Sequence, residues 1–245
     1  MARDRPQIVL HAAAWTDVDG CARAPELAMR RNAGAVGELA TVCAASGARL
    51  LLVSTNEVFD GGRTDGQGYR ETDSPRPVNP YGASKLAGEQ TAIDAFNRAG
   101  RTENLLIART AWLYGPPGND FPAKIIAAAD RLPPGEPVTV VADEIGSPTF
   151  SADLAAAILA LALDGAQDGI YHLVNAGHAS RLDIAREVLA RCRPERPTAP
   201  ISRSQFQRAS NPPPWAVLEN TRAAALGVSL RPWHEALADY LTSLC

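Results

Sequence analysis

Short aliphatic and β-branched runs alternate along the chain with longer stretches in which apolar residues recur at helical spacing. The runs at residues 8–13, 48–54, 104–109, 138–142 and 169–174 predict strands. The stretches at 25–46, 80–98, 120–131 and 152–163 predict helices, with Ser151 placed to cap the last. Alternation of this kind predicts an α/β fold, a doubly wound parallel sheet covered on both faces; Leu50-Leu51-Leu52-Val53 is apolar throughout, as a doubly buried strand requires. Beyond Gly177 the pattern changes. Ser180-x-x-Asp183 opens a helix through Cys192, a proline- and arginine-rich connector runs to Trp215, and a last helix follows Pro232. The expected division is a sheet domain over residues 1–150 and a smaller part over 151–245, whose helix at 152–163 and strand at 169–174 can pack back on the sheet.

Composition narrows the function classes. The chain has 245 residues, 46% hydrophobic, with 27 acidic against 24 basic residues, which suits a globular protein with its own core. With acidic residues slightly in excess, neither nucleic acid nor a membrane surface is an expected partner. No run is long and apolar enough for a membrane span, and the N-terminus lacks a signal-peptide layout. Cys21, Cys43, Cys192 and Cys245 are dispersed, and the four histidines have no partner at ligand spacing. The expectation is therefore free thiols, a cytoplasmic protein and no metal.

Two segments carry candidate chemistry. Tyr81 and Lys85 stand four apart at the start of a predicted helix, so they share a face. A cationic amine beside a phenol should lower the phenol's pKa toward the working range and make it a usable general acid. Five tyrosines and two lysines in 245 residues give only about 0.04 chance occurrences of this spacing. Ser54 and Thr55 end a strand, where ligands bind in parallel sheets; a turn or cap role is the competing explanation for such hydroxyls.

Five ordered blocks resemble those of the dTDP-4-dehydrorhamnose reductases, a family of extended short-chain dehydrogenases. They are His11 to Asp19, Ser54 to Gly61, Asn79 to Glu89, Arg109 to Gly115 and Asp143 to Thr149. The resemblance implies a Rossmann-like sheet and reduction of the 4-keto group of a dTDP-linked 6-deoxyhexose, giving dTDP-L-rhamnose with NADPH (or NADH). It implies Tyr81 as proton donor, Lys85 on the nicotinamide ribose, Thr55 on the substrate oxygen, Ala12, Ala13 and Ala14 along the cofactor, and Asn56 and Trp112 toward the sugar. An ordinary packed aromatic is the alternative for Trp112. The sequence leaves oligomeric state open, a homodimer included.

The chain departs from the family pattern in three places. Asn56 and Glu57 stand where many relatives have Asp and Tyr. Asn211-Pro212-Pro213-Pro214-Trp215 stands where an arginine is expected near the substrate phosphates, although the stretch from Arg191 to Arg208 holds five arginines against one acidic residue. The family's glycine-rich pyrophosphate turn and ribose-recognising strand would precede Pro6, in about two βα units of some 30 residues each, so the sheet is expected to be N-terminally incomplete, through a late start. Gly34-x-x-Gly37-x-x-Ala40 lies inside a helical pattern and reads as helix packing rather than a phosphate loop. An epimerase or dehydratase of the same superfamily, and a non-catalytic sugar-nucleotide-binding protein, are the competing functions.

Overall fold

The computed structural model describes residues 5–163 and 168–245. In chain order the first part runs β1 (Ile8–His11), α1 (Val18–Arg23), α2 (Pro25–Ala28), a π-helical stretch (Met29–Gly34), α3 (Ala35–Ser46), β2 (Arg49–Thr55), α4 (Pro80–Ala99), β3 (Leu105–Thr110), β4 (Leu113–Tyr114), α5 (Phe121–Arg131) and β5 (Val138–Val141). It continues through β6 (Ile145–Gly146), β7 (Thr149–Phe150), α6 (Ser151–Leu163), β8 (Gly169–His172), β9 (Ala179–Ser180), α7 (Arg181–Cys192), β10 (Thr198–Ile201), β11 (Trp215–Ala216), α8 (Thr221–Ala225) and α9 (Trp233–Leu244).

The main sheet has the order β1-β2-β3-β8, and every pairing in it is parallel. Alternation at period two sorts its side chains. Leu50, Leu52, Leu105 and Ile107 pack against α3 and α4, whereas Leu51, Leu106 and Ala108 pack against α6. Each fully buried leucine or isoleucine here contributes about 1.5–3 kcal/mol. Among the described residues β1 pairs only with β2, and its Ile8 and Leu10 are exposed.

α4 is the helix that positions the site. Asn79 caps it by accepting a hydrogen bond from Gly82 N at 2.8 Å, Pro80 occupies its first turn, and Gly100 ends it in the left-handed conformation. The Gly34-Gly37-Ala40 spacing does lie on helix, as packing surface. A Cβ at Gly37 would touch Thr91, and one at Gly88 would meet the Asn32 carbonyl at 2.6 Å. Asn32 in turn accepts from Trp15 N at 2.8 Å and donates to Ser84 Oγ at 3.0 Å, tying the segment after β1 to α4.

Two expectations are corrected. The strand at 138–142 is real but stands outside the main sheet: β5 pairs in parallel with β10. Together with α5 it shares a hydrophobic cluster with α7 and α9, through Ile125, Val138, Val188, Leu237 and Leu241. The cysteines are not all free. α7 and α9 end side by side, bringing Cys192 and Cys245 to a Cα separation of 5.2 Å, and their sulfurs are bonded, while Cys21 and Cys43 are buried thiols. No helix of the described residues is long and apolar enough to cross a membrane.

Candidate active site

The carboxyl ends of β1, β2 and β3 and the first turns of α4 enclose a cavity of about 330 Å³. Its wall includes Tyr81, Lys85 and Thr55, together with Ala12, Ala14, Asn56, Trp112 and Arg181. Thus every residue expected to contribute is brought to one place except Ala13, which is exposed and outside the wall.

Tyr81 is 8% exposed, and its phenol is held above the ordinary tyrosine range by burial and by the Glu57 carboxylate; a hydrogen bond with the Thr55 hydroxyl pulls the other way. The expected lowering by Lys85 is not found. Lys85 is buried, and its ammonium donates to the Val53 carbonyl at 2.8 Å; burial pulls its pKa down to about 8, against the opposing pull of Glu89. Removal of the phenol from water outweighs a neighbouring cation whose own charge is strained by burial. His11, at the end of β1, is lowered by burial and by the Lys85 charge.

Thr55 is both a turn cap and part of the cavity wall. It caps the short turn Asn56–Val58 by accepting from Glu57 N at 3.2 Å, and it presents its hydroxyl to the cavity. Asn56 lines the cavity while its amide donates to the Ala216 carbonyl at 3.0 Å. Glu57 accepts from Asn79 Nδ2 at 2.6 Å, and burial raises its pKa. Asn79 therefore ties the helix start to the turn after β2. Gly82 makes that approach feasible, since a Cβ there would lie 2.0 Å from the Glu57 carbonyl oxygen.

Trp112 sits in the left-handed region at φ 43°, with its indole against Gly146, where a Cβ would come within 2.6 Å of the ring. The Arg181 guanidinium stands over the indole, 3.6 Å from the ring centre. Arg181 begins α7, some seventy residues beyond Trp112 in the sequence. Sequence reasoning passed over it, although one signal was available: a cation in the first turn opposes the helix dipole.

The profile described as the RmlD substrate binding domain matches residues 1–245. A dTDP-4-dehydrorhamnose reductase of Mycobacterium tuberculosis is 41% identical over 243 residues, covering 96% of this chain and 76% of that protein. The chain belongs to the dTDP-4-dehydrorhamnose reductase family. Within that family the crystal structure of the Bacillus anthracis reductase in complex with NADP superposes with a TM-score of 0.89 at 34% identity, covering 98% of this chain and 81% of that one. The UDP-glucose 4-epimerase of Thermus thermophilus, at 23% identity and a TM-score of 0.79, shares the Rossmann-like fold. As a member of the reductase family the chain is an oxidoreductase.

The nicotinamide end of a dinucleotide fits these residues. Ala12 and Ala14 leave open space beside Lys85, whose ammonium has three donors and spends one on Val53. The pyrophosphate end cannot be built in the same way, because no glycine-rich strand–turn–helix segment occurs among the described residues.

Proposed function

We propose that this chain catalyses the reduction of the 4-keto group of dTDP-4-dehydrorhamnose to dTDP-L-rhamnose, with NADPH as reductant. The observation that carries this reading is the convergence of Tyr81, Lys85 and Thr55 on one cavity, beside Ala12 and Ala14. Lys85 would hold the nicotinamide ribose of NADPH and Ala12 and Ala14 would line the cofactor, which would provide the hydride when bound. The chain's own residues handle the oxygen. Thr55 bonds the substrate carbonyl oxygen and holds it against Tyr81. The buried phenol keeps its proton through neutral pH, because its pKa stands above the ordinary value, and so it is a donor when the carbonyl oxygen becomes an alkoxide.

The test is steady-state oxidation of NADPH by the purified chain with dTDP-4-dehydrorhamnose, with the product examined by NMR. One NADPH consumed per dTDP-L-rhamnose formed supports the reading. Product formation without net consumption would mark an epimerase instead, and a folded chain that neither binds nor oxidises NADPH would overturn it.

A further inference from the structure

Arg181 stands in the wall of the catalytic cavity and in that of a second cavity of about 400 Å³, whose wall also includes Lys124, Phe206 and Arg208. Among the described residues Arg181 is the only one common to both walls. Its guanidinium is packed between rings, over Trp112 at 3.6 Å and beside Phe121 at 5.0 Å. Such stacking fixes the plane of an arginine and leaves the N–H donors at its rim free. The Glu144 carboxylate makes only a long ion pair with it, at 4.0 Å and beyond hydrogen-bond reach, the Glu57 carboxylate adds a further favourable charge, and no described residue accepts a hydrogen bond from the guanidinium. The side chain is a quarter exposed, at 25%, and burial brings its pKa down only to about 10, so it is a cation at neutral pH. By contrast Arg208, further out, is already paired with Asp19 at 3.2 Å.

A sugar nucleotide is a sugar, a diphosphate and a nucleoside in fixed order. With the reacting carbon at Tyr81, the diphosphate follows at the junction of the two cavities, and the base extends toward the half-exposed Phe206. A guanidinium matches a phosphate edge-on with two parallel hydrogen bonds. We propose that Arg181 is the residue that binds the substrate's diphosphate, and that Trp112 is the platform that orients Arg181. This inference rests on the sugar-nucleotide reading above and adds to it a contact made by a residue outside the five blocks.

The experiment measures binding of two probes, dTDP and thymidine, to the parent chain and to Arg181→Met and Arg181→Lys. Arg181→Met should weaken dTDP binding about 10- to 100-fold, the range of a lost charge-assisted contact. Arg181→Lys should recover part of the loss, and thymidine, which has no phosphate, should bind all three proteins alike. In steady state the substrate KM should rise with kcat little changed. Unaltered dTDP affinity in Arg181→Met would overturn the proposal, and so would an equal loss of thymidine binding, which would mark a collapsed site. A parent chain that turns over dTDP-4-dehydrorhamnose while Arg181→Met keeps its KM would sink this inference alone; a folded parent that binds neither probe would sink the sugar-nucleotide reading with it.

Discussion

Glu89 and Arg109 form a buried bidentate ion pair between α4 and β3, with Nη2 2.6 Å from Oε2 and Nε 3.0 Å from Oε1, both side chains only 2% exposed. Ser54 donates its hydroxyl to the same carboxylate. Glu89 follows Tyr81 and Lys85 at successive spacings of four, so it lies on the same face of α4 as those two residues. Breaking such a pair from one side leaves an uncompensated charge out of water. Arg109→Met should therefore lower the unfolding free energy by about 3–5 kcal/mol in denaturant titrations. A midpoint equal to that of the parent would contradict this account.

Glu89 also bears on the charge of Lys85. The Lys85 ammonium titrates near pH 8, and Glu89 is the group that resists the downward pull of burial. Turnover should decline as pH rises through about 8, where Lys85 loses its proton. Replacing Glu89 by Gln removes the favourable anion, so the declining limb of the kcat profile should move to lower pH. A limb that stays in place would show that another group sets it.

Removing the phenolic oxygen tests the proton donor directly. Tyr81→Phe should reduce kcat by about 10²- to 10⁴-fold, the range of general-acid contributions, while dTDP affinity measured by calorimetry stays as in the parent. Retention of kcat would exclude Tyr81 from the chemistry.

Gly82 is required by proximity and not by its dihedral angles. Alanine would gain up to about 1 kcal/mol of helix propensity. Its Cβ would nevertheless lie 2.0 Å from the Glu57 carbonyl oxygen, a backbone atom that cannot swing aside. The clash should prevail, with a net loss of about 1–3 kcal/mol, the cost of overpacking. Thermal unfolding of Gly82→Ala checks the sign; a rise in Tm would refute the argument.

His172 is fully buried, with Nδ1 3.0 Å from the Tyr69 carbonyl, and burial with the nearby Arg109 charge pulls its pKa from 6.5 to about 3. Above pH 6.5 the imidazole is neutral in both folded and unfolded chains; between 6.5 and about 3 only the unfolded chain takes up the proton. Stability therefore falls with pH in that window, by up to about 1.4 kcal/mol per pH unit from this group. His172→Asn should show a shallower fall between pH 6.5 and about 5, before carboxylates begin to protonate. Parallel curves for the two proteins would disprove it.

The parts of the fold visible in the sequence were those with a long period. The helix at 80–98 carries its Asn79-Pro80 start and Gly100 stop, and in the strand Arg49–Thr55 the apolar run Leu50-Leu51-Leu52-Val53 is closed by two hydroxyls, so the places of Thr55, Tyr81 and Lys85 are legible in the sequence. The strands Leu113–Tyr114, Ile145–Gly146 and Trp215–Ala216 are two residues each, too short to have a period, yet they carry or adjoin Trp112 and its glycine support. β5 read correctly as a strand, but its partner β10 lies in the proline-rich connector. Arg181 and the Cys192–Cys245 bond depend on how α7 packs against distant segments, which local pattern does not encode.

Ser54, Arg109 and His172 occupy one register row across β2, β3 and β8, with Ser54 opposite Arg109 and Arg109 opposite His172. A one-residue slip of β3 would turn Arg109 toward the opposite face of the sheet, among the alanines and leucines packed on α6, and strand the Glu89 carboxylate without its partner. Aliphatic strands alone could tolerate several alignments at similar cost. The buried Glu89–Arg109 pair discriminates between them as a key does between locks, so that the frame in which Thr55 meets Tyr81 is also the one in which these two charges are matched.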